Sequence, residues 1–481
     1  MAGADGHLGE NQAALDVRTE HRSDPHGYAN LLGEIPNLTV LNEVYSCRTG
    51  LTRAQQQVIV FVGAGLGLFG LFLPNLFAYI VGGLLWGVFS LLIFWRFFLL
   101  MMGISVRLLR RNRMPAIPNA FPVYSILVAV YHEQEIADQL ACALRQLVWP
   151  AGLLDIQILL EADDEGTISA MQAAHFPDGT RFTIVPPGGV RTKSNALNYG
   201  LARAKGEYIC IYDAEDRPHP GQLLEAHRAF LAKPLEVACM QAPLVGDNEG
   251  EALIAAHWSL EYAIQFGLLL PAMAALRLPI PIGGTSNHFR IEALREVGGW
   301  DAWNVTEDAD LGLRLARFGR RVATLNLPTY EDAPAEFSIW TAQRSRWIKG
   351  FMQTWMVLMR HPGRLYKELG FTGFFAVQLA LGGAVLAPIF HAPLLALVII
   401  ASLSSAFSIG LLGTALLGTG VLVGLLGDIL APAPLHFSRV AAILTRPFYW
   451  PLHSISAARA LWELAVAPHF WAKTPHKPHR T

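Results

Sequence analysis

Two stretches of this chain contain no Asp, Glu, Lys or Arg, and they limit what it can fold into more than any other feature. One runs from Ala54 to Trp95 and the other from Leu369 to Gly427. A helix needs about 20 apolar residues to cross a bilayer, and Pro74-Asn75 divides the first stretch into two segments of about that length. The second is too long for one crossing and has room for two or three. Across the 481 residues, 52% are hydrophobic and only 16% charged, which speaks against an ordinary soluble protein. The polar, mildly acidic start "MAGADGHLGENQ" does not read as a cleavable signal peptide.

Charge at the edges of these stretches predicts their orientation. Arg48 and Arg53 precede the first, Arg96, Arg107, Arg110, Arg111 and Arg113 follow it, and Arg360, Arg364 and Lys367 precede the second. Basic flanks stay in the cytoplasm, so the first two spans form a hairpin and the region between the stretches faces the cytosol. Arg439, Arg446, Arg459, Lys473, Lys477 and Arg480 place the tail on the same side. An even number of crossings, two or four, then follows Leu369. The run "RPFYWPLHSISAARALWELAV" leaves that number open, because it is amphipathic enough to lie in the interface. The expected division is a cytosolic segment (1–53), a transmembrane hairpin (54–100), a cytosolic catalytic domain (101–337), interfacial helices (338–368), further membrane or interfacial helices (369–466) and a cytosolic tail (467–481).

Within the cytosolic region, "YSILVAV" (124–130), "IQILL" (156–160), "RFTIV" (181–185) and "YICIY" (208–212) read as buried strands. Helical stretches such as "ADQLACALRQL" and "SNALNYGLARA" separate them. This alternation predicts an α/β domain, a mostly parallel sheet with helices on both faces. Such sheets bind ligands at the carboxyl ends of their strands. Polar clusters gather at those ends: "YHEQE", "EADDEGT" and "DAEDRP". Asp163-Asp164 could equally cap the next helix. Asp213, Glu215 and Asp216 are denser and would repel one another without a cation or ligand. Thr306 and Asp308 of "TED" could be capping residues.

Other chemistries find no support. There is neither a Walker nor a dinucleotide phosphate loop, and no His pair at zinc spacing lies on a predicted helix here. The four cysteines, Cys47, Cys142, Cys210 and Cys239, are far apart and read as reduced packing residues. A net charge of -1 gives no reason to expect nucleic acid.

Taken in order, Asp163-Asp164, Lys193, Asp213-x-Glu215, Thr306-Glu307-Asp308 and Gln343-x-x-Arg346-Trp347, followed by apolar spans, resemble the family 2 processive membrane glycosyltransferases, which include cellulose synthase and hyaluronan synthase. "GGTSNHFR" (283–290) and "GGWDAWNVTEDADLGLRLARFG" most resemble the bacterial β-glucan synthases of that superfamily. The resemblance implies a nucleotide-sugar domain of GT-A type, inverting transfer, and a multi-pass protein of the bacterial inner membrane with its catalytic domain in the cytoplasm.

It also implies roles. Asp308 is the base that takes the acceptor's proton, with Thr306 and Glu307 beside it. Asp213 and Glu215 hold Mg²⁺ or Mn²⁺; the usual pattern is Asp-x-Asp, and Asp216 is a rival ligand. Tyr131, Glu133 and Asp163 hold the nucleoside, while Lys193, Gln343 and Arg346 face the diphosphate. Trp347, Gly284 and Thr285 meet the acceptor. In "SIWTAQRSRWIKG", Arg344 and Lys349 fall off that face, towards lipid phosphates; a plain amphipathic interfacial helix is the alternative for this segment. Thr474, His476 and Lys477 resemble a gating loop, although a basic tail on anionic lipid would look similar. Gln378 and His391 could line a path through the membrane.

The expected function is polymerisation of a UDP-sugar, UDP-glucose, into a β-linked glucan extruded across the membrane, with lipid and export or regulatory proteins as partners. Transfer of one sugar to a polyprenyl phosphate is the alternative. A transporter, or a scaffold with a degenerate transferase domain, fits less well, since the acidic positions are intact and most of the chain is cytosolic.

Overall fold

The computed structural model describes residues 43–109, 120–187, 190–404 and 410–470. Its strands are β1 (Tyr124–Val130), β2 (Leu154–Glu161), β3 (Arg181–Val185), β4 (Tyr208–Tyr212), β5 (Arg217–Pro218), β6 (Val237–Gln241), β7 (Leu244–Gly246), β8 (Asn287–Arg290), β9 (Arg321–Thr324) and β10 (Thr329–Glu331). Its α-helices are α1 (Arg53–Phe72), α2 (Pro74–Leu109), α3 (Ala137–Arg145), α4 (Glu165–Ala173), α5 (Lys193–Leu201), α6 (Gln222–Ala232), α7 (Leu253–Ile264), α8 (Leu270–Ala275), α9 (Ile291–Glu296), α10 (Glu307–Arg317), α11 (Phe337–Leu358), α12 (Pro362–Leu403), α13 (Gly410–Leu430), α14 (Phe437–Tyr449) and α15 (Leu452–Val466).

The central sheet runs β3-β2-β1-β4-β8-β6-β9. β1 pairs in parallel with β2 and β4, so that Ile126 lies between Ile156 and Cys210. Only β8 runs against its neighbours β4 and β6. Both faces are covered, which is why these strands are mainly apolar on both sides. Leu127, Leu159 and Ile211 pack on one side with Leu197 and Leu201 of α5. On the other side, Ile126, Val128 and Ile158 meet Leu140 and Leu144 of α3 and Phe230 of α6. This is the expected mostly parallel α/β architecture. A small second sheet, β5-β10-β7, stands beside it.

Among the described residues, five helices are long and apolar enough to cross a membrane: α1, α2, Leu253–Ala275, α12 and α13. Four of them fall in the two charge-free stretches. The fifth joins α7 and α8 through a π turn at Gln265–Leu269. Glu261 keeps it from standing out as a charge-free stretch in the sequence. It is partly buried: Leu260, Ile264 and Leu268 pack against Leu100 of α2 and Val423 of α13. Gly103 of α2 permits this contact, since a Cβ there would stand 2.4 Å from the Leu268 carbonyl oxygen.

Several charges expected to mark membrane edges do other work. α2 continues past Arg96 to Leu109, so Arg96 is not at a helix end. Arg446 is buried, with its guanidinium 2.9 Å from Asp428 of α13. Arg439 is buried too and donates to the Ala431 carbonyl at 2.6 Å. The amphipathic run beginning at Arg446 is interrupted at Trp450-Pro451, between α14 and α15. Ala457 and Ala460 of α15 then pack against Ile348 and Met352 of α11.

Candidate functional site

Because β1, β2 and β4 are parallel, their carboxyl ends share one edge, and the antiparallel β8 brings residues 283–286 to that edge as well. Ser286 N–H donates to the Ile211 carbonyl at 2.8 Å, locking this loop beside the end of β4. His132 and Ser286, both non-glycine, have φ of 51° and 55° at this edge. Such strain concentrates at ligand sites.

Asp213 follows β4 directly. Its carboxylate is ion-paired with Lys193, the first residue of α5, whose Nζ also donates to the Gly284 carbonyl at 2.8 Å. Burial opposes the lysine's charge, but Asp213 and then Glu307 more than offset this and hold the ammonium above its ordinary range. Thr285 Oγ1 receives the Asp213 N–H at 3.2 Å and donates to Asp216. Asp216, the rival ligand, is fully buried; its Oδ2 also accepts the Asp213 N–H at 2.8 Å. One of its oxygens is therefore committed to holding the loop that presents Asp213 and Glu215.

The acidic helix start lies opposite. Thr306 occupies the N-cap position of α10, but its side chain makes no capping bond. Its hydroxyl faces Asn304 instead, so the capping alternative does not hold for Thr306. The Gly284 position is close to Asp308: a Cβ there would lie 3.3 Å from Oδ2. Burial raises Asp308 above the ordinary carboxylate range, while the Ala309 N–H and Lys193 pull it back. Glu307 is pushed up to about 7 by burial and then by Asp308.

The Asp163-Asp164 pair divides its labour. Asp164 caps α4 through Thr167 N–H. Asp163 is left at the cavity wall, 2.8 Å from the Arg191 guanidinium, which also reaches the Tyr131 hydroxyl at 3.5 Å. Arg191, two residues before Lys193, was not singled out in the sequence. Glu133 lines the same wall.

On α11, Gln343, Arg346 and Trp347 are half-buried and line the cavity. Gln343 Oε1 accepts the Trp258 indole N–H at 2.9 Å, and the Trp347 ring lies 6.0 Å from that of Tyr262. Both partners belong to α7. Arg344 and Lys349 do not turn to lipid as expected. Arg344 is 2.5 Å from Glu261 and covers the Trp347 ring at 4.5 Å. Lys349 is fully buried, 3.0 Å from Glu463. α11 is thus packed on both flanks, which removes the plain interfacial helix as an account of it.

Lys349 also holds the Phe470 carbonyl at 2.6 Å, and Gln353 holds that of Pro468 at 2.8 Å. His469 Nδ1 is 3.0 Å from the Trp303 carbonyl and lines the cavity. The end of the described chain is therefore tied beside Lys193 and Glu307; Thr474, His476 and Lys477 lie outside the described residues.

Among the described residues, no three His, Cys, Asp or Glu groups converge to hold a metal by themselves. Asp213 and Glu215 both reach the cavity, however, and Glu331 of β10 joins them on its wall. Burial, then Asp216, Glu215 and Asp213, push Glu331 well up, and one of its oxygens has no partner. Asp213, Asp216, Glu307, Asp308 and Glu331 thus all lie within electrostatic reach of Lys193. Two protein carboxylates completed by phosphate oxygens is the donor set Mg²⁺ takes, so the residues fit such an ion. Glu331 escaped notice because its only sequence signal is an acidic pair in "TYEDAP".

Residues 208–445 match the family described as Glycosyl transferase family group 2. A probable glycosyltransferase of Sulfolobus acidocaldarius is 27% identical over 231 residues, 48% of this chain and 50% of that protein. A probable glucomannan 4-beta-mannosyltransferase of Arabidopsis thaliana is 24% identical over 241 residues, covering 48% and 43%. The chain thus spans about half the length of the curated relatives it matches. A solved mannosyltransferase of Pyrobaculum calidifontis, in complex with GDP-Man and Mn²⁺, has a TM-score of 0.52 at 21% identity, covering 79% of this chain and 99% of that one. That likeness is one of fold. Sheet order, edge geometry and these matches agree: residues 208–445 resemble a glycosyl transferase family group 2 domain, and the fold is GT-A-like.

Proposed function

We propose that the protein is a membrane-embedded, inverting glycosyltransferase that polymerises a nucleotide sugar, UDP-glucose, into a β-linked glucan and passes the product between its own helices. One observation carries this reading. A single cavity of about 2780 Å³ runs from Asp213 and Asp308, past Trp347, to Trp86, Phe390 and Leu417 on the apolar helices. A transferase that hands one sugar to a soluble acceptor has no need of a chamber that deep.

Each group then has a task. Tyr131, Glu133 and Asp163 hold the nucleoside, with Arg191 fixing Asp163 and Tyr131 relative to one another. Asp213 and Glu215 hold Mg²⁺ or Mn²⁺, which when bound neutralises the charge of the departing diphosphate. Lys193 and Arg346 add positive charge at the same place, and Gln343 is held in position by Trp258. Asp308 takes the proton of the acceptor hydroxyl, a role suited to a carboxylate made more basic by burial. Gly284 leaves room above Asp308 for the acceptor's terminal ring, Thr285 braces the loop, and Trp347 gives that ring a flat face. Thr474, His476 and Lys477 are proposed to close over the diphosphate, since the segment before them is already fastened beside Lys193 and Glu307.

A second donor has its own support: the Arabidopsis relative is named a mannosyltransferase and the Pyrobaculum enzyme was solved with GDP-Man. The deciding experiment measures nucleotide release by the protein in lipid with UDP-glucose, UDP-galactose, UDP-N-acetylglucosamine or GDP-mannose, with and without Mg²⁺ or Mn²⁺. Metal-dependent release from UDP-glucose, lost in Asp308→Asn, with a product that a β-glucanase digests, supports the proposal. Release from GDP-mannose alone moves the donor to mannose. Release without polymer overturns processivity, and no release from any donor overturns the enzyme.

A further inference from the structure

The membrane half of the cavity holds an arginine that the transfer reaction does not use. Arg96 lies within α2, on the cavity wall. Its helical neighbours fix the direction it faces. Leu92 would touch a Cβ placed on Gly383 of α12, Ile93 one on Gly420 of α13, and Leu100 one on Gly427 of α13. Leu99 is buried in the core cluster that contains Phe266. Residues three and four positions away share a helix face, so all four place Arg96 on the inward face rather than towards lipid tails.

The charged and titratable groups around Arg96 come from four elements: Glu261 of α7, Asp428 of α13, Arg446 of α14 and His391 of α12. Both carboxylates are already engaged. Glu261 is 2.5 Å from Arg344, and Asp428 is 2.9 Å from Arg446. Three guanidinium groups against two carboxylates leave one positive charge over. Among the described residues, Arg96 has no ion pair and no hydrogen bond. An arginine without an ion pair, facing a cavity between long apolar helices, marks a candidate site for an anion. Much of the wall beyond these groups is apolar, including Leu85, Phe89 and Leu417. A ligand that satisfies both features carries an oxyanion on a hydrocarbon tail.

We propose that Arg96 is the anion-binding element of a lipid-phosphate site in the membrane half of this cavity. Its planar donors suit a phosphate better than a lysine would, and the apolar wall takes the chain. The proposal concerns binding alone. It stands whether the sugar transferred is glucose or mannose, and it adds a lipid-borne anion as an occupant of the space beyond Trp347.

The test uses the full chain in phosphatidylcholine nanodiscs and measures binding of farnesyl phosphate, farnesol, phosphatidic acid, inorganic phosphate and a neutral β-linked oligosaccharide by microscale thermophoresis. Farnesyl phosphate is expected to bind at least tenfold more tightly than farnesol or inorganic phosphate. Arg96→Gln is expected to remove that advantage while leaving farnesol unchanged, and Arg96→Lys to keep part of it. Phosphatidic acid binding as tightly as farnesyl phosphate identifies bulk phospholipid, rather than a lipid monophosphate on a single chain, as the source and still supports the site. Equal binding of farnesol and farnesyl phosphate overturns the proposal. So does inorganic phosphate binding as tightly as the lipid, or an Arg96→Gln effect confined to the oligosaccharide. Folding is controlled by melting temperature, which removal of an unpaired charge is not expected to lower. Asp308→Asn keeps this binding while stopping transfer, so failure of the site and failure of the enzymatic reading are told apart.

Discussion

Lys193 Nζ donates to the Gly284 carbonyl at 2.8 Å while paired with the Asp213 carboxylate. One ammonium therefore joins the start of α5, the end of β4 and the loop before β8. Lys193→Met should have two opposite effects. With the competing cation gone, Mn²⁺ should bind the donor-free protein more tightly, while transfer should fall about 10- to 100-fold, in the range of a lost charge-assisted contact. Metal titration and initial rates measure the two separately. A fall in both would mean that the lysine shapes the metal site instead of competing for it.

Asp308 is raised by burial, so the proposed base protonates at a higher pH than an ordinary aspartate. A base acts only when ionised, so activity should fall as pH falls through that raised value, giving an acidic limb above the usual carboxylate range. Asp308→Asn should lower turnover by about 10²- to 10⁴-fold with little change in donor affinity. A rate profile flat down to the usual aspartate range would contradict this role.

Glu307, pushed up to about 7, links the site to stability. Its folded pKa exceeds its unfolded value, so the native state binds more protons between roughly pH 4.5 and 7. Wild-type stability should therefore decline as pH rises through that window. Glu307→Gln, which stays neutral, should melt above wild type at pH 8 and close to it at pH 4. Melting curves across this range check the sign.

Arg344 is 2.5 Å from Glu261, beneath the Trp347 ring. Removing one member of a buried pair costs up to about 3–5 kcal/mol, and less here because Glu261 keeps Arg446 at 3.7 Å. Arg344→Met should therefore lower melting temperature, and adding Glu261→Gln should restore part of the loss. Donor affinity of the folded fraction should stay near wild type, which separates Arg344 from Arg346.

Gly350 brings α11 against the acidic helix start: a Cβ there would sit 2.2 Å from Thr306 Oγ1. Gly350→Ala should push the segment bearing Gln343, Arg346 and Trp347 away from Asp308. The expected readout is at least a tenfold loss of polymer formation together with a lowered melting temperature. Unchanged activity would mean that the two segments need no fixed spacing.

Much of this molecule is legible in its residues, because two physical signals are local. Mainly apolar strands reveal a sheet covered on both faces, and β1, β3 and β4 begin and end where the runs read from the sequence do. Charge-free stretches reveal four of the five long apolar helices. Polar residues at strand ends reveal an edge where Asp213, Lys193 and Asp308 meet. What stayed hidden depends on pairing across the chain. Leu253–Ala275 carries Glu261 and His257, so it reads as part of the catalytic domain until Arg344 and Arg446 are seen to come from elsewhere to meet those charges. Arg344, Arg446 and Arg439 look like surface or membrane-edge cations in sequence. Burial inverts their meaning, and it leaves Arg96 facing the cavity without an ion pair of its own. Local sequence determines which segments are strands, apolar helices and polar clusters, since hydrophobic period and charge act over a few residues. Only the tertiary structure decides which charges neutralise one another, because an ion pair joins residues far apart in the chain.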